Sequence, residues 1–209
     1  MPTTLLIVHP RDLIRLGLLS VFEDQALIKV VGEAAAAKAA QKLIKQHGPD
    51  LVLLYDQLDD GDSFDLAKKL LAVNPDLKIV MLGVQESPTS LARAAAAGAH
   101  DYLFEGSSSR EILDAVKRAA SGKPPSPTSP YGKVLASMRD RSSHPSVNLT
   151  PRELQVLRHI GYGLSNEEIA RSMEISVETV KEHVQNILRK MAVKDRTQAA
   201  VWVVREGLV

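Results

Sequence analysis

Leu149-Thr150-Pro151-Arg152-Glu153-Leu154 opens the stretch of sequence that decides the architecture of the C-terminal part of the chain. Thr150 and Glu153 have the spacing of a capping box, in which each side chain hydrogen-bonds the backbone of the other residue. Pro151 lies at the first helical position, where its missing N–H costs nothing. Gly161-Tyr162-Gly163 is a glycine-rich break that ends the helix and turns the chain. The sequence thus predicts a helix with a defined beginning and end.

Two more helices are predicted after this break. Ser165 and Glu168 repeat the capping box, and a third helix begins at Ser176. The apolar residues on one side of the third helix fall at helical spacing: Val180, Val184, Ile187, Leu188 and Met191. Short helices and a tight turn before a longer amphipathic helix are typical of a helix-turn-helix unit, whose longer helix enters the major groove of DNA.

The polar face of the third helix carries donors and acceptors suited to base edges and phosphates: Lys181, Glu182, Gln185, Asn186, Arg189 and Lys190. In an isolated helix, a solvated surface would be the better interpretation of such a face. Net charge helps little, because nine Lys and Arg residues are balanced by eight Asp and Glu residues between Leu149 and Val209. DNA binding would therefore depend on local cations and on dimerisation, which doubles the phosphate contacts.

The segment Leu149–Val209 resembles the LuxR-type helix-turn-helix domain of NarL/FixJ response regulators. The resemblance rests on Leu149-Thr150-x-Arg152-Glu153, Gly163-x-Ser165-Asn166-x-Glu168-Ile169-Ala170, Ile175-Ser176-x-x-Thr179-Val180-Lys181-x-His183, Asn186-Ile187 and Lys190-Met191. It implies that Lys181, Glu182 and Gln185 approach bases. It also implies that backbone phosphates are met by Thr179, Arg189, Lys190 and Arg196. Glu182 either accepts a hydrogen bond from cytosine or repels phosphate, and its role is left open.

The last helix is predicted from Arg196 to Gly207. This helix is more apolar than it would need to be if it only packed against the third helix. Its apolar residues are Ala199, Ala200, Trp202 and Val203. In the resembled family this helix pairs two domains across half-sites, so a homodimer is expected. The alternative, that Trp202 packs only inside its own domain, is left open.

Residues 1–122 alternate apolar runs with amphipathic helical patterns. The runs predict buried parallel strands at Leu5–Val8, Ile28–Val31, Leu51–Leu54, Ile79–Leu82 and Tyr102–Phe104. Five such repeats predict a doubly wound α/β fold with a five-stranded parallel sheet of flavodoxin-like order, whose ligand sites lie at the carboxyl ends of the strands. A Pro- and Ser-rich linker is predicted at residues 123–147, with a short helix at 134–138, before the four-helix domain at 148–209.

Residues 1–121 resemble a receiver domain, most clearly in Pro49-Asp50-Leu51-Val52-Leu53-Leu54 and Leu91-x-Arg93-Ala94-x-x-Ala97-Gly98-Ala99-x-x-Tyr102-Leu103. That family transfers phosphate from a histidine kinase to an aspartate, with two acids that bind Mg²⁺ and with a hydroxyl and a lysine that hold the phosphoryl oxygens. In an alignment without gaps, His9 and Pro10 stand at the positions of the two acids. In the alternative alignment, the two acids are deleted, so both are missing in either case. Tyr55 replaces the aspartate, Gly83 the hydroxyl and Glu105 the lysine. These residues and Asp56 are called the strand-end pocket.

The resemblance, together with the replacement of these pocket residues, implies a degenerate receiver that has lost its phosphotransfer chemistry. Glu105 would repel a phosphoryl group at Tyr55 or Asp56, where lysine would attract it. Asp56 follows the acceptor position by one residue, which turns its side chain to the opposite sheet face unless the strand has ended. His9 is interpreted either as a titrating switch beside Glu105 or as a satisfied polar residue. Asp59, Asp60 and Asp62 are interpreted as a solvated acidic loop, so no metal and no cofactor are expected.

These patterns predict a cytoplasmic, non-enzymatic transcription regulator of response-regulator type, whose partners are double-stranded DNA and a second copy of the chain. Neither a leader pattern nor an apolar run of membrane-spanning length occurs in the sequence. Its output would be governed by dimerisation, by a partner protein or by a small ligand in the vacated pocket, without aspartate phosphorylation. Two alternatives are a conventional regulator activated by phosphate on Asp56 and a protein-interaction module with weak DNA binding.

Overall fold

The structure is a computed structural model that describes residues 2–84, 87–139 and 149–209. The chain divides into two compact units, Met1–Glu86 with Ala97–Gly132 and Ser87–Ala96 with Lys133–Val209. The predicted domain boundaries after residues 122 and 147 stay predictions, and residues 140–147 of the predicted linker lie outside the described residues. Among the residues described, no helix is both long and apolar enough to span a bilayer.

Five parallel strands form the sheet of the first unit. In chain order the strands are β1 (Thr3–Val8), β2 (Ile28–Ala34), β3 (Leu51–Tyr55), β4 (Gln57–Leu58), β5 (Gly61–Asp62), β6 (Lys78–Gly83) and β7 (Asp101–Phe104). The sheet has the order β2-β1-β3-β6-β7, and β4 and β5 form a separate antiparallel pair. The predicted fold class and all five predicted strands are confirmed. The register pairs Val8 with Leu54, Tyr55 with Leu82 and Gly83 with Phe104, so the carboxyl ends of these strands meet at one edge.

Ten helices occur in the described residues. They are α1 (Asp12–Glu23), α2 (Ala37–His47), α3 (Ser63–Val73), α4 (Pro88–Ala97), α5 (Ser109–Ala120), α6 (Pro130–Arg139), α7 (Pro151–Gly161), α8 (Asn166–Met173), α9 (Val177–Lys190) and α10 (Arg196–Arg205). The core of the first unit lies between the sheet and its helices. All five residues of β3 are buried, as expected for a parallel strand covered on both faces.

Two residues of the predicted acidic loop have structural roles as helix caps. The carboxylate of Asp60 accepts hydrogen bonds from the backbone N–H groups of Ala37 at 2.7 Å and Lys38 at 3.0 Å, at the beginning of α2. Asp62 caps α3 through the N–H groups of its first turn. Within residues 2–84, 87–139 and 149–209, His, Asp and Glu side chains form no group of three or more that could hold a metal ion.

The beginning of the predicted linker packs against the first unit. Tyr131 is fully buried, and its hydroxyl donates to the carbonyl of Ala99 at 2.6 Å. The ring of Tyr131 stacks on that of Tyr102 with centroids 6.4 Å apart. The short helix predicted at 134–138 is confirmed as part of α6, which begins earlier, at Pro130. One large aromatic side chain supplies the apolar surface that the surrounding Pro and Ser residues lack.

The second unit contains the predicted helix-turn-helix. Both predicted capping boxes are present, and Ser176 caps α9 as expected. Glu174 adopts a left-handed conformation, with φ of +55°, and makes the tight turn between α8 and α9. The helices enclose a core that includes Val156, Leu157, Ile160, Ile169, Val180, Ile187, Met191, Ala199, Ala200 and Val203. Trp202 packs against this core, which supports its role inside the unit and leaves the pairing role of α10 a prediction.

Candidate functional site

The first feature of the strand-end pocket is a hydrogen-bonded link between β1 and β7. His9 is 1% exposed, and its Nε2 lies 2.8 Å from Oε1 of Glu105. Nδ1 of His9 accepts the backbone N–H of Arg11 at 3.1 Å, so the neutral ring carries its proton on Nε2 and donates it to Glu105. The guanidinium of Arg11 lies 3.7 Å from the other oxygen of Glu105. Glu105 is thus held by an imidazole and a cation of the loop after β1.

Burial controls the ionisation of this part of the pocket. Burial lowers the pKa of His9, although the hydrogen bond and the negative charge of Glu105 oppose this shift. Burial also raises the pKa of Tyr55, and the charge of Glu105 raises it further. The two rings lie with their centroids 4.1 Å apart. A neutral phenol therefore occupies the end of β3, at the position that the sequence resemblance assigns to the phosphoacceptor. The lowered pKa of His9 favours the satisfied polar residue over the titrating switch.

Pro10 contributes its backbone to the same loop. Its carbonyl accepts a hydrogen bond from Nη1 of Arg15 at 3.1 Å, and the carbonyl of His9 accepts from the same nitrogen at 2.8 Å. Arg15 also pairs with Asp12 and Glu33. The loop that follows β1 is therefore fixed by an arginine.

Asp56 and Tyr102 occupy the second part of the pocket. β3 ends at Tyr55, and Asp56 follows as a buried residue whose Oδ2 accepts the hydroxyl of Tyr102 at 2.6 Å. Gly83 makes room for this contact: a Cβ at that position would overlap the Tyr102 hydroxyl and lie 2.6 Å from its Cζ. The phenol of Tyr102 thus fills space next to the position where a receiver carries a hydroxyl side chain. The sequence identified Gly83 as a missing hydroxyl but gave no signal that Tyr102 belongs to the pocket.

The second candidate site is the exposed face of α9. Glu178, Lys181, Glu182, Gln185 and Arg189 are exposed along one stripe, while Val180 and Ile187 are buried in the core. Lys181 pairs with Glu178 at 2.9 Å in an exposed contact. Four of the predicted DNA contacts therefore lie together on the open side of the helix, which is the arrangement that contact with a groove requires.

Two further predicted contacts, Thr179 and Asn186, are half-buried on α9. The Thr179 hydroxyl lies 2.9 Å from that of the capping Ser176, and Oδ1 of Asn186 accepts from Arg189 at 2.9 Å. Both side chains border the exposed stripe. They can still supply hydrogen-bonding atoms at its edge.

The remaining two predicted contacts, Lys190 and Arg196, have partners within the second unit. Nζ of Lys190 lies 2.7 Å from Oε2 of Glu153. Arg196 donates to Oδ1 of Asn166 at 3.0 Å and to the carbonyl of Leu164, and burial lowers the pKa of Arg196. The geometry therefore gives these two cations structural contacts, and their assignment to phosphates stays a prediction.

Comparison with known proteins identifies one family in each part of the chain. A family model described as "Response regulator receiver domain" matches residues 5–117, and one described as "Bacterial regulatory proteins, luxR family" matches residues 147–203. The chain belongs to the LuxR family of response regulators. It is a DNA-binding transcription factor of two-component signalling.

Relatives and structures extend the similarity over the whole chain. The transcriptional regulatory protein LiaR of Bacillus subtilis (strain 168) is 34% identical over 206 residues, covering 98% of each chain. The response regulator protein VraR of Staphylococcus aureus (strain NCTC 8325 / PS 47) is 34% identical over 212 residues, covering 100% of each. A structure of two RcsB dimers bound to two parallel DNAs has a TM-score of 0.67, 18% identity and 98% coverage of both chains. At 18% identity, this comparison shows that the two chains have a similar fold.

The packing at Gly83 generates a stability prediction for this response regulator. We expect Gly83→Ala to lower the free energy of unfolding by about 1–3 kcal/mol, because the added Cβ overlaps the Tyr102 ring. Tyr102→Leu in the Gly83→Ala background should relieve part of this loss, since the two positions are in contact. Urea unfolding of the full chain measures both effects.

Gly17→Ala is the matched control for this experiment. In the described part of the chain, no atom lies within 4 Å of a Cβ built on Gly17, and the residue is in α1, where alanine has the higher helix propensity. We expect the control to be neutral or slightly stabilising. Equal stability of Gly83→Ala and wild type would contradict the close packing of Tyr102 against position 83.

The burial of His9 generates a pH prediction. Because burial lowers the pKa of His9 in the folded chain, the unfolded chain binds this proton first as the pH falls below about 6.5. The unfolded state then holds more protons, so stability decreases on acidification through this range. His9→Gln should flatten the decrease measured by urea unfolding between pH 7.5 and pH 5.5. His47→Gln changes an exposed histidine and serves as the control; the same slope in His9→Gln and wild type would refute the prediction.

Proposed function

We propose that this transcription factor binds DNA through the exposed stripe of α9 and that its first unit acts without aspartate phosphorylation. Phosphorylation independence is supported by the burial and the hydrogen bonding of Asp56, which follows the acceptor position by one residue. Asp56 is 8% exposed, and one of its oxygens accepts the 2.6 Å hydrogen bond from Tyr102. Burial and this hydrogen bond both oppose attack of the carboxylate on a phosphoryl donor in solution.

The side chains of the pocket do not fit the magnesium ion that receiver domains use. Mg²⁺ prefers near-octahedral oxygen ligands, mostly carboxylates and water. The two acid positions carry His9, an imidazole, and Pro10, whose side chain has no donor atom. The carboxylate of Glu105 is engaged by His9 and Arg11. Magnesium-dependent phosphotransfer is therefore not part of the proposed function.

Electrostatics in the pocket also disfavours a phosphorylated state. A phosphoryl group carries a charge of about −1.5 to −2 near pH 7. Glu105 stands where a lysine would hold that group, and like charges at short range repel. Arg11 is the cation next to Glu105, but its side chain is 63% exposed and paired with that carboxylate. The first unit is thus proposed to control output through dimerisation, a partner protein or a small ligand.

One observation favours the alternative of activation by phosphate on Asp56. Because β3 ends at Tyr55, the Asp56 side chain is not forced onto the opposite face of the sheet, and it lies beside Gly83 at the strand ends. A shifted acceptor is therefore sterically reachable once Tyr102 moves. Direct measurement of phosphate incorporation separates the two proposals.

Incubation with acetyl phosphate and Mg²⁺ tests the proposal through the intact mass of the full-length protein. We expect no added phosphate, because the carboxylate is bonded to Tyr102 and the pocket lacks the magnesium ligands. An increase of one phosphate that disappears in Asp56→Asn would contradict the proposal and establish the alternative. Tyr102→Phe removes the hydroxyl and shows whether that hydrogen bond is what protects Asp56.

The stripe on α9 supports a specific assignment of DNA contacts. The proposed base contacts are Lys181, Glu182 and Gln185. Arg189 is proposed to contact a phosphate, and Thr179 and Asn186 border the stripe. The exposure of the proposed base and phosphate contacts along one side of a capped helix supports the assignment, and Thr179 and Asn186 lie half-buried beside them. A second copy of the chain is proposed as partner, because the helix-turn-helix segment has almost no net charge and a dimer doubles its phosphate contacts.

Replacement of Lys181 tests this assignment. We expect Lys181→Ala to weaken binding to a duplex selected from a random pool by about 5- to 150-fold, equivalent to about 1–3 kcal/mol for a lost base contact. Binding is measured by fluorescence anisotropy over a range of salt concentrations. Lys133→Ala removes an equal exposed charge from α6 as control. Binding by Lys181→Ala equal to wild type would remove Lys181 from the interface, and salt-independent wild-type binding would favour the protein-interaction module.

A further inference from the structure

The contact between Lys190 and Glu153 joins the end of α9 to the beginning of α7. The two residues are 37 positions apart, and Nζ lies 2.7 Å from Oε2. The same Oε2 accepts the backbone N–H of Thr150 at 2.7 Å, as part of the capping box of α7. One carboxylate oxygen therefore caps one helix and holds the C-terminal end of another.

Burial distinguishes this ion pair from the other charged contacts of α9. Glu153 is 4% exposed, and the Lys190 side chain is 34% exposed. Burial alone would raise the pKa of Glu153, but the hydrogen bonds from Lys190 and Thr150 outweigh it and hold the pKa at about 2. Lys181, in contrast, pairs with an exposed glutamate of its own helix. Withdrawal of Lys190 toward a phosphate would leave a buried carboxylate without its cation, which is strongly unfavourable.

We infer that Lys190 and Glu153 are positioning residues for DNA recognition, and that Lys190 acts through Glu153 instead of through a DNA phosphate. The inference rests on the proposed DNA contacts of α9 and deepens that proposal. The ion pair fixes the C-terminal end of α9 against α7. It thereby sets the angle at which the stripe of α9 meets the bases.

The length of the helix explains why the angle matters. Lys181 lies nine residues before Lys190, or about 13 Å along a helix that rises 1.5 Å per residue. A tilt of about 5° around the far end displaces a side chain at that distance by about 1 Å. Hydrogen bonds to base edges tolerate less than that, since donor–acceptor distances span only about 2.7–3.2 Å. Loss of the ion pair is therefore expected to reduce discrimination between sequences.

The experiment compares Lys190→Met, Glu153→Gln and the double variant of the full chain. Each binds the selected duplex and a scrambled duplex over a range of salt concentrations. We expect each single variant to lower the ratio of specific to scrambled affinity at least about tenfold, with the wild-type salt slope for Lys190→Met. The double variant should lower this ratio no further than either single variant does, because each single variant already removes the same ion pair. Lys190→Arg, which keeps the cation, should restore discrimination to within about threefold.

Arg189→Met is the matched control, because it removes the neighbouring exposed cation from the stripe. If Arg189 meets a phosphate, this variant weakens both duplexes equally and reduces the salt slope by about one. The same behaviour in Lys190→Met, with Glu153→Gln like wild type, would overturn the inference and make Lys190 a phosphate contact. Equal weakening on both duplexes without a change of slope would also overturn it, since that indicates loss of folded protein alone.

The wild-type curves keep this test separate from the proposed function. Salt-dependent preference for the selected duplex by wild type supports DNA recognition, whatever the variants do. A wild type that binds neither duplex would overturn the proposed DNA contacts and the positioning role together. Urea unfolding of each variant reports the folded fraction, and Glu153→Gln keeps the capping geometry because glutamine also serves at that position.

Discussion

The need to give buried carboxyl groups hydrogen-bond partners shapes both units of this response regulator, because a buried polar group without a partner costs about 1–3 kcal/mol. In the first unit, the buried Asp56 accepts a hydrogen bond from Tyr102, and that contact exists because position 83 has no side chain. In the second unit, the buried Glu153 is held by Lys190 and by the backbone at the beginning of α7. A carboxylate already bonded within the protein is less available for chemistry with an external group.

The parallel sheet explains how the first unit can keep its architecture while its pocket changes. The hydrophobic strands hold the fold, and the carboxyl ends of β1, β3, β6 and β7 meet at one edge whatever side chains follow them. In the proposed account, replacement of the acids by His9 and Pro10 and of the lysine by Glu105 removes phosphotransfer without disturbing the sheet. In the same account, the first unit contributes surfaces for association and α9 of the second unit contributes the contacts to DNA.

Sequence patterns predicted the elements, because their signals are local. The five strands and the capping boxes at Thr150 and Ser165 each depend on residues a few positions apart. Contacts between distant residues had no such signal. The hydrogen bond from Tyr102 to Asp56 joins residues 46 positions apart and requires the register of β6 against β7. The phosphate assignment of Lys190 comes from the resemblance to the LuxR-type domain, and its pairing with Glu153, 37 positions away, has no local signal in the sequence.

The affinity of the full-length protein for its selected duplex, measured with and without acetyl phosphate and Mg²⁺, tests the central claim most directly. The account predicts the same dissociation constant and the same salt slope under both conditions, because neither Tyr55 nor the bonded carboxylate after it accepts phosphate. Tighter binding with the phosphoryl donor, abolished in Asp56→Asn, would contradict the account. That result would make this chain a phosphate-activated regulator with a shifted acceptor.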